Sequence, residues 1–498
     1  LNSDGVAAMS ESLQQVTAGV ARGLFTVAAT RAIERHAAAG LAPYTLMRRA
    51  GSSAARLALA LAPHARLVWV AAGAGNNGGD GLEAAAELRK LGKQVVVSWL
   101  GSRDGASADS KASLQRALDA GVRFADAPPA DWDLALDALL GIGASRAPEG
   151  RMADWIACMN QNAAPVLAID LPSGLQADTG FAAGRCVSAD ATLSLLTLKP
   201  GLFTGMGRDA SGQVWLDGLG VDLVQACGAT QAAIVASLAP APPLRARLHA
   251  AHKGSQGDVA VVGGAPGMSG AAVLAATAAL HRGAGRVYLC MLDPSAAPLC
   301  AGQPELMCRT LDQLDLARVA VACGCGGGDA VRAALPRLLS AARRLVLDAD
   351  ALNAIAVDAQ LRSLVRMRRA RGYSTIVTPH PLEAARLCQT SADAVQRNRL
   401  QTAQGLAEAL QCTVLLKGSG TVVASPERAS AIVPTGNGLL ATAGTGDVLA
   451  GALAAALAAG VPEFDSALQT AYSHGKCADD WPTTMPLTAA ALARSAWH

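Results

Sequence analysis

The sequence predicts an α/β protein of two domains, each built on buried parallel strands covered by helices. Three observations carry that expectation. At 498 residues the chain is long for a single core. Short apolar runs alternate with Ala- and Leu-rich stretches of helical character, the pattern of a parallel sheet buried on both faces. In each half, an early apolar run ends in a glycine loop. Between them, residues 226–248 contain Ala239-Pro240-Ala241-Pro242-Pro243, which disfavours helix and suits an extended connector. Domains are therefore expected at residues 1–225 and 245–498, with a linker at 226–244.

Composition narrows the function classes. The net charge of +3 comes without a basic block or an aromatic-interleaved patch, so nucleic acid is not expected as a partner. The eleven cysteines lie singly, and Cys323-x-Cys325 has the wrong spacing for a zinc knuckle, which suggests free thiols in a reducing cytoplasm. Mean hydropathy is positive (+0.28), yet Gly, Asp or Arg interrupts the apolar stretches before they could span a membrane. Leu1 to Ser12 show no basic and apolar leader pattern, so no export signal is expected. The Ala-rich apolar content makes a homo-oligomer the expected assembly.

In the first half, Arg66-Leu67-Val68-Trp69-Val70-Ala71-Ala72 leads into Gly73-Ala74-Gly75-Asn76-Asn77-Gly78-Gly79-Asp80-Gly81. The Gly73-x-Gly75-x-x-Gly78 spacing fits a dinucleotide-type turn, but no acid follows at the end of the second apolar run, where a ribose would need one. Two carboxamides and an acid in that loop could coordinate a cation or read a polar ligand, or satisfy the turn locally. Two more runs, ending near Asp137 and at Asp170, lead into Gly141-Ile142-Gly143-Ala144-Ser145-Arg146 and Leu171-Pro172-Ser173-Gly174. Ligands collect at the carboxyl ends of parallel strands, so Asp137, Asp170 and Ser173 are expected to face the same crevice as Asn77.

The loop NNGGDG with DALLGIG, AIDLPSG and Leu198-Lys199-Pro200-Gly201-Leu202 resembles the YjeF N-terminal domain family, over roughly residues 28–222. The resemblance implies a Rossmann-like three-layer fold and epimerisation at the C6 hydroxyl of hydrated NADH and NADPH. It further implies that Asn76, Asn77, Gly78, Gly79, Asp80, Gly141, Ile142, Gly143, Ala144, Ser145, Arg146, Ala147 and Asp170 contact the hydrate. Asn77, Asp137 and Ser173 would hold K⁺, and Asp170 would be the acid/base residue. Lys199 would either steady negative charge or serve as a surface or structural lysine.

The second half carries Gly444-Thr445-Gly446-Asp447 before the helix-like run from Val448. Three small residues at a helix start leave N–H groups bare for an anion, and the acid behind them is placed to take a proton from an attacking hydroxyl. The alternative is a glycine turn with Asp447 as cap. Four strand ends precede or join it: Asp348-Ala349-Asp350 with Asn353, Thr378-Pro379-His380-Pro381, Lys417-Gly418-Ser419-Gly420-Thr421, and Gly436-Asn437-Gly438. No GxxxxGK[ST] sequence occurs, which argues against a P-loop enzyme.

That order resembles the ribokinase-like superfamily, and within it the YjeF C-terminal branch of ADP- or ATP-dependent NAD(P)H-hydrate dehydratases, over about residues 245–498. His252-Lys253-Gly254, LDADALN, TPHP and KGSGT carry the closer match. The resemblance implies that Lys417, Gly418, Ser419, Gly420, Thr421 and Gly446 contact the adenine nucleotide. Ala271, Gly326, His380 and Asp447 would contact the hydrate, with Mg²⁺ bridging phosphates and Asp447 catalytic. Three positions depart from the family pattern: Leu382 in place of a glycine, Ala443 in place of another, and Gly324-Cys325-Gly326-Gly327-Gly328 in place of a GPGLG-like loop. The expected function is repair of hydrated NADH and NADPH by epimerisation and nucleotide-dependent dehydration, ADP being favoured over ATP by resemblance. The rival is a ribokinase-like small-molecule kinase with an inert or scaffolding first domain.

Overall fold

The N–H and C=O groups of a buried apolar run must find partners, and parallel pairing with neighbouring runs supplies them. The computed structural model describes residues 13–102, 107–144, 146–243, 249–495 and 497. It is of the α/β class and divides into two compact units between Ala236 and Ser237, with Ala18–Ala21 assigned to the second. Residues 226–238, inside the segment expected as a linker, hold the end of a helix, Leu223–Thr230, and a short strand. Among the described residues no helix is long and apolar enough to cross a membrane.

The first unit contains strands β1 (Leu13–Gln15), β2 (Arg22–Leu24), β3 (Leu67–Ala72), β4 (Gln94–Trp99), β5 (Arg123–Phe124), β6 (Leu134–Ala138), β7 (Val166–Ile169), β8 (Ala191–Leu195) and β9 (Gln213–Asp217). Eight of these form a sheet in the order β1-β9-β8-β7-β6-β3-β4-β5, parallel throughout except for the β1–β9 pair. The chain runs outward from β3 through β4 and β5, then resumes at β6 on the other side. The loops after β3 and β6 therefore diverge and open a crevice between them. One face of the sheet is covered by the helices Thr45–Leu61 and Asn76–Lys90, which approach so closely that a Cβ at Gly51 would lie 2.1 Å from that of Glu83. On the other face Trp69, Trp132 and Trp155 interlock, with Trp69 and Trp132 ring centroids 4.8 Å apart.

The second unit repeats the logic with a different order. Strand β10 (Ala236–Leu238) precedes β11 (Asp258–Gly263), β12 (Arg286–Met291), β13 (Met307–Cys308), β14 (Ala320–Cys323), β15 (Arg344–Leu347), β16 (Ser374–Val377) and β17 (Thr413–Leu416). The antiparallel strands β18 (Val422–Ser425) and β19 (Arg428–Ile432) follow. The sheet order β13-β12-β11-β14-β15-β16-β17-β18-β19 places its switch point between β11 and β14. The Ala-rich stretch from Val448 lies in a buried helix, Thr445–Ala458, packed on helix Ser269–His281. Alanine side chains let the two backbones nearly touch: a Cβ on Gly451 would lie 1.8 Å from Ala275 O.

That contact sets a contrast between two helical glycines. Gly451→Val is expected to cost about 3 kcal/mol, because the backbone opposite cannot retreat. Gly405→Ala, in helix Arg399–Leu410 with nothing within 4 Å of the new methyl, is expected to stabilise by about 0.5–1 kcal/mol. Urea midpoints of the two variants check both signs.

Candidate active sites

At the first switch point, β3 ends at Ala72 and the helix Asn76–Lys90 starts at once, with Gly75 as N-cap and no side-chain cap bond. The tight passage needs bare backbone: a Cβ on Gly73 would lie 1.9 Å from Leu139 O, and one on Gly78 would lie 2.0 Å from Gly73 O. Gly79 is filled from the opposite side by Met47. Of the five loop residues expected at the ligand, Asn76, Asn77 and Asp80 line the resulting cleft of about 750 Å³, while Gly78 and Gly79 serve close packing instead. Gly141, Ile142, Gly143 and Ala144 line its far wall. Arg146 and Ala147 are not among the lining residues, and Ser145 lies outside the described residues.

Beneath the cleft floor, rather than facing the crevice as expected, Asp137 and Ser173 are wholly buried. Ser173 donates twice to Asp137, from N to Oδ2 (2.7 Å) and from Oγ to Oδ1 (2.6 Å). Asn77 Nδ2 donates to Leu140 O (3.0 Å), which leaves Asn77 Oδ1 buried without a partner. Burial raises the Asp137 carboxyl to about 6 against those hydrogen bonds, and among the described residues no cationic side chain offsets it. A buried carboxylate, an orphaned carboxamide oxygen and a hydroxyl make an all-oxygen set suited to a hard, weakly hydrated cation.

Asp170 follows β7 with a left-handed backbone (φ 69°), a conformation a side chain rarely adopts. Its Oδ1 accepts from Lys199 Nζ at 2.5 Å. Lys199 is wholly buried, so it is not a surface lysine, and it also donates to Leu195 O at 2.8 Å. Three further acids, Asp80, Glu34 and Asp109, line the cleft with this pair. Asp80 is pushed well above its usual value, by burial first and then by the charge of Asp170; Glu34 is raised for the same two reasons. Glu34 was not singled out as a ligand residue from sequence. It enters because Thr30, one turn earlier on helix Val27–Ala39, bonds Thr197 through their hydroxyls (2.7 Å) and draws that face over the cleft.

At the second switch point the strand ends converge on Lys417. Its Nζ donates to Asp348 Oδ1 at 2.7 Å and lies 4.0 Å from Glu383 Oε2. Burial works to lower the Lys417 ammonium, but the Asp348 and Glu383 carboxylates outweigh it and the net shift is upward. Asp348, at the N-cap position of helix Ala349–Val357, makes no side-chain cap bond; its Oδ1 takes Lys417 and the Thr378 hydroxyl (2.8 Å). Glu383 is raised to about 7, chiefly by burial.

Helix Thr445–Ala458 begins at Gly444 in the left-handed region (φ 89°) without a side-chain cap; Thr445 N donates to Thr442 O (3.4 Å), and the N–H groups of Gly446 and Asp447 follow at the uncapped start. Asp447 sits in that first turn, half-buried, and is raised to about 6 by burial and then by Asp348. A Cβ on Gly446 would lie 3.3 Å from Lys417 Nζ, which ties the glycine to the lysine turn. Ala271 and Gly326 are also neighbours, since a Cβ on Gly326 would meet that of Ala271 at 2.9 Å. His380 caps helix Pro381–Cys388: its Nδ1 accepts from Leu382 N (3.1 Å) and its Nε2 faces Glu383 Oε1 (3.3 Å). Leu382 points outward, 47% exposed.

Two supporting residues were not found from sequence. Arg399 is buried behind the lysine turn and donates to the Leu416 and Lys417 carbonyls at 3.2 and 3.0 Å. It also backs Gly418, whose positive φ (128°) and contact with that guanidinium leave no room for a side chain. Thr421 Oγ1 closes the turn onto Gly418 O (3.2 Å), around Ser419 and Gly420. His474 bonds Thr445 O through Nε2 (3.1 Å), and burial lowers it to about 4, which keeps it neutral beneath the helix start. A lone His or Arg on a helical face carries no local signal of such a role.

Comparison with known proteins agrees with this division. Residues 43–201 match the family described as YjeF-related protein N-terminus, and residues 259–496 match NAD(P)H-hydrate dehydratase. The bifunctional NAD(P)H-hydrate repair enzyme Nnr of Escherichia coli is 35% identical over 460 residues, covering 90% of this chain and 87% of the relative. The bifunctional NAD(P)H-hydrate repair enzyme of Leishmania major is 37% identical over 473 residues, 87% of this chain and 84% of the relative. The ADP-dependent (S)-NAD(P)H-hydrate dehydratase of Neisseria meningitidis is 43% identical over 243 residues, 47% of this chain and 80% of that protein. With these two sites on the two matched regions, the chain belongs to the family of bifunctional NAD(P)H-hydrate repair enzymes.

Proposed function

We propose that the chain restores hydrated NADH and NADPH: the 1–225 domain interconverts the R and S hydrates, and the 245–498 domain dehydrates the S form with ADP or ATP, in the cytoplasm. One observation carries the reading. At each switch point an aspartate close to a buried Asp–Lys pair or within one faces a cleft or a bare helix start: Asp170 with Lys199, and Asp447 beside Asp348 and Lys417.

For dehydration, the nucleotide phosphates lie against the helix start at Gly446 and the turn of Lys417, Gly418, Ser419, Gly420 and Thr421. The hydrate lies against Ala271, Gly326, His380 and Asp447. Asp447 takes the proton of the C6 hydroxyl as its oxygen attacks the terminal phosphorus, and the shortened nucleotide leaves. The C6–O bond then breaks with departure of phosphate as the N1 lone pair forms C6=N1, and loss of a C5 proton restores the dihydropyridine. Bare amides and Lys417 offset the charge of the transferring group. Mg²⁺, carried on the phosphates, would supply the remaining neutralisation.

For epimerisation, Asp170 takes the C6 hydroxyl proton and passes it to N1 as the C6–N1 bond opens to an aldehyde; rotation about C5–C6 and reclosure by the reverse transfer give the other epimer, while Lys199 steadies the charge on the carboxylate. Asn76, Asn77, Asp80, Gly141, Ile142, Gly143 and Ala144 form the walls against the hydrate. Asn77, Asp137 and Ser173 fit K⁺, which would neutralise Asp137 and fix the two loops that form the cleft; the orphaned Asn77 oxygen is the observation in favour.

Activity assays and their pH dependence test this reading. With mixed R and S hydrates, Mg²⁺, K⁺ and ADP or ATP, absorbance at the reduced-nicotinamide band is expected to recover fully. Asp447→Asn should abolish recovery, and Asp170→Asn should stall it after the S fraction. Accumulation of a phosphorylated product without recovery would instead indicate a kinase. The wild-type dehydration rate should fall as pH drops through about 6, where Asp447 gains its proton.

The cation reading has its own sign. Asp137, raised to about 6 in the fold, favours the folded state below the carboxyl's unfolded value and loses that contribution as pH rises through about 6. K⁺ should therefore raise the unfolding temperature of the first unit more at about pH 8 than at about pH 5, relative to tetramethylammonium, and Asp137→Asn should remove the difference.

A further inference from the structure

The loop after β14, Gly324-Cys325-Gly326-Gly327-Gly328, lies at the second unit's switch point and carries a side chain that the reaction does not consume. Cys325 is wholly buried, and its Sγ lies with one carboxylate oxygen each of Asp348 and Asp447 in a group whose members are all within 4.8 Å of one another. The backbone around it is held on both sides. Gly324 N donates to Val262 O (3.1 Å), Gly264 N to Cys325 O (3.0 Å), and Ala265 N to Gly326 O (2.7 Å). The flanking glycines have φ of 119° and 56°, and a Cβ on Gly324 would lie 1.9 Å from Asp348 O. The loop has no room to slide, so the thiol stays where the two carboxylates meet it.

We propose that Cys325 is a positioning residue for dehydration: its S–H donates to the Asp447 carboxylate and fixes that base, in its charged form, toward the hydroxyl it deprotonates. The proposal rests on Asp447 being the base. Two carboxylates compete for the thiol proton, and the Oδ1 of Asp348 already takes Lys417 and Thr378, so the bond goes to Asp447. Burial, then Asp447 and Asp348, push the thiol well above its usual range, so it remains a protonated donor at neutral pH.

Asp447 is also faced by Asp348 and Asp350, which disfavour its charge, and by Lys417, which favours it. Glu383 lies beyond Lys417, and neutral His474 lies behind Thr445. None of these changes when Cys325 is replaced. A hydrogen bond to the charged form lowers a carboxyl, so its removal raises Asp447 and moves the acid limb of activity upward.

The test is the pH dependence of kcat and kcat/KM for dehydration of the S hydrate by the full chain carrying Cys325→Ala, Cys325→Val or Cys325→Ser. The donor-less Ala and Val variants are expected to move the acid limb of kcat up by about half a pH unit or more, while Ser, which keeps a donor, stays near wild type. Near-UV circular dichroism identifies a variant that has not folded, and the shape-conserving Val then replaces Ala. Acid limbs that coincide with wild type in a folded Ala or Val variant overturn the proposal, as does a Ser variant that shifts as far as Ala. Asp447→Asn at wild-type rate overturns the base assignment itself, and the thiol's role with it.

Discussion

A carboxylate removed from water at the end of a buried strand is costly, and the way each unit meets that cost organises its site. Moving one ion into the interior costs several kcal/mol unless a partner and further hydrogen bonds offset it. In the first unit the partner of Asp170 is Lys199, wholly buried and donating to Ser194 and Leu195 as well. In the second unit Lys417 plays that part for Asp348, with Thr378 on the same carboxylate oxygen. Each lysine has one closely bonded carboxylate, and the other acids nearby are left short of positive charge. Those acids, Asp80 and Glu34 in one unit and Asp447 and Glu383 in the other, are the ones shifted upward. Groups able to move protons near neutral pH thus arise from the same burial that demands the ion pairs.

The sites also depend on backbone coming close to backbone. Gly73, Gly78 and Gly324 each lie where a methyl group would strike a carbonyl oxygen at 2.0 Å or less. Such contacts let helices start directly at strand ends, so that unpaired N–H groups and strand-end acids share one crevice. The scarcity of aromatic side chains and the abundance of alanine belong to this design, since small side chains permit the helix–helix approach at Gly451 and Gly51.

The parts legible in the sequence were those written locally. Apolar runs ending in glycine loops gave the strands, their carboxyl ends and the gathering of Asn77, Asp137 and Ser173. The Gly444–Asp447 nest was readable because small residues before an acid at a helix start have a distinct local meaning. The division of labour within a motif was not readable. Gly78 and Gly79 belong to packing although their neighbours Asn77 and Asp80 line the cleft, and only the positions of Gly73 and Met47 reveal it. Glu34, Arg399 and His474 owe their places to tertiary contacts far along the chain. Cys325 stood out in sequence as a departure from a family pattern and as half of a pair wrongly spaced for zinc; its meaning depends on Asp348 and Asp447, which arrive from other strands and helices.

The central claim is that the oxygen at C6 leaves as part of phosphate. It is tested most directly by preparing the hydrate in ¹⁸O-labelled water, dehydrating the S form in unlabelled water with ADP or ATP, and measuring the isotope in the phosphate released. The mechanism predicts one labelled oxygen in each phosphate formed per NADH recovered. Unlabelled phosphate, with the label lost to water, would mean that the nucleotide is hydrolysed without passing its phosphoryl group to the hydrate, and would contradict the account.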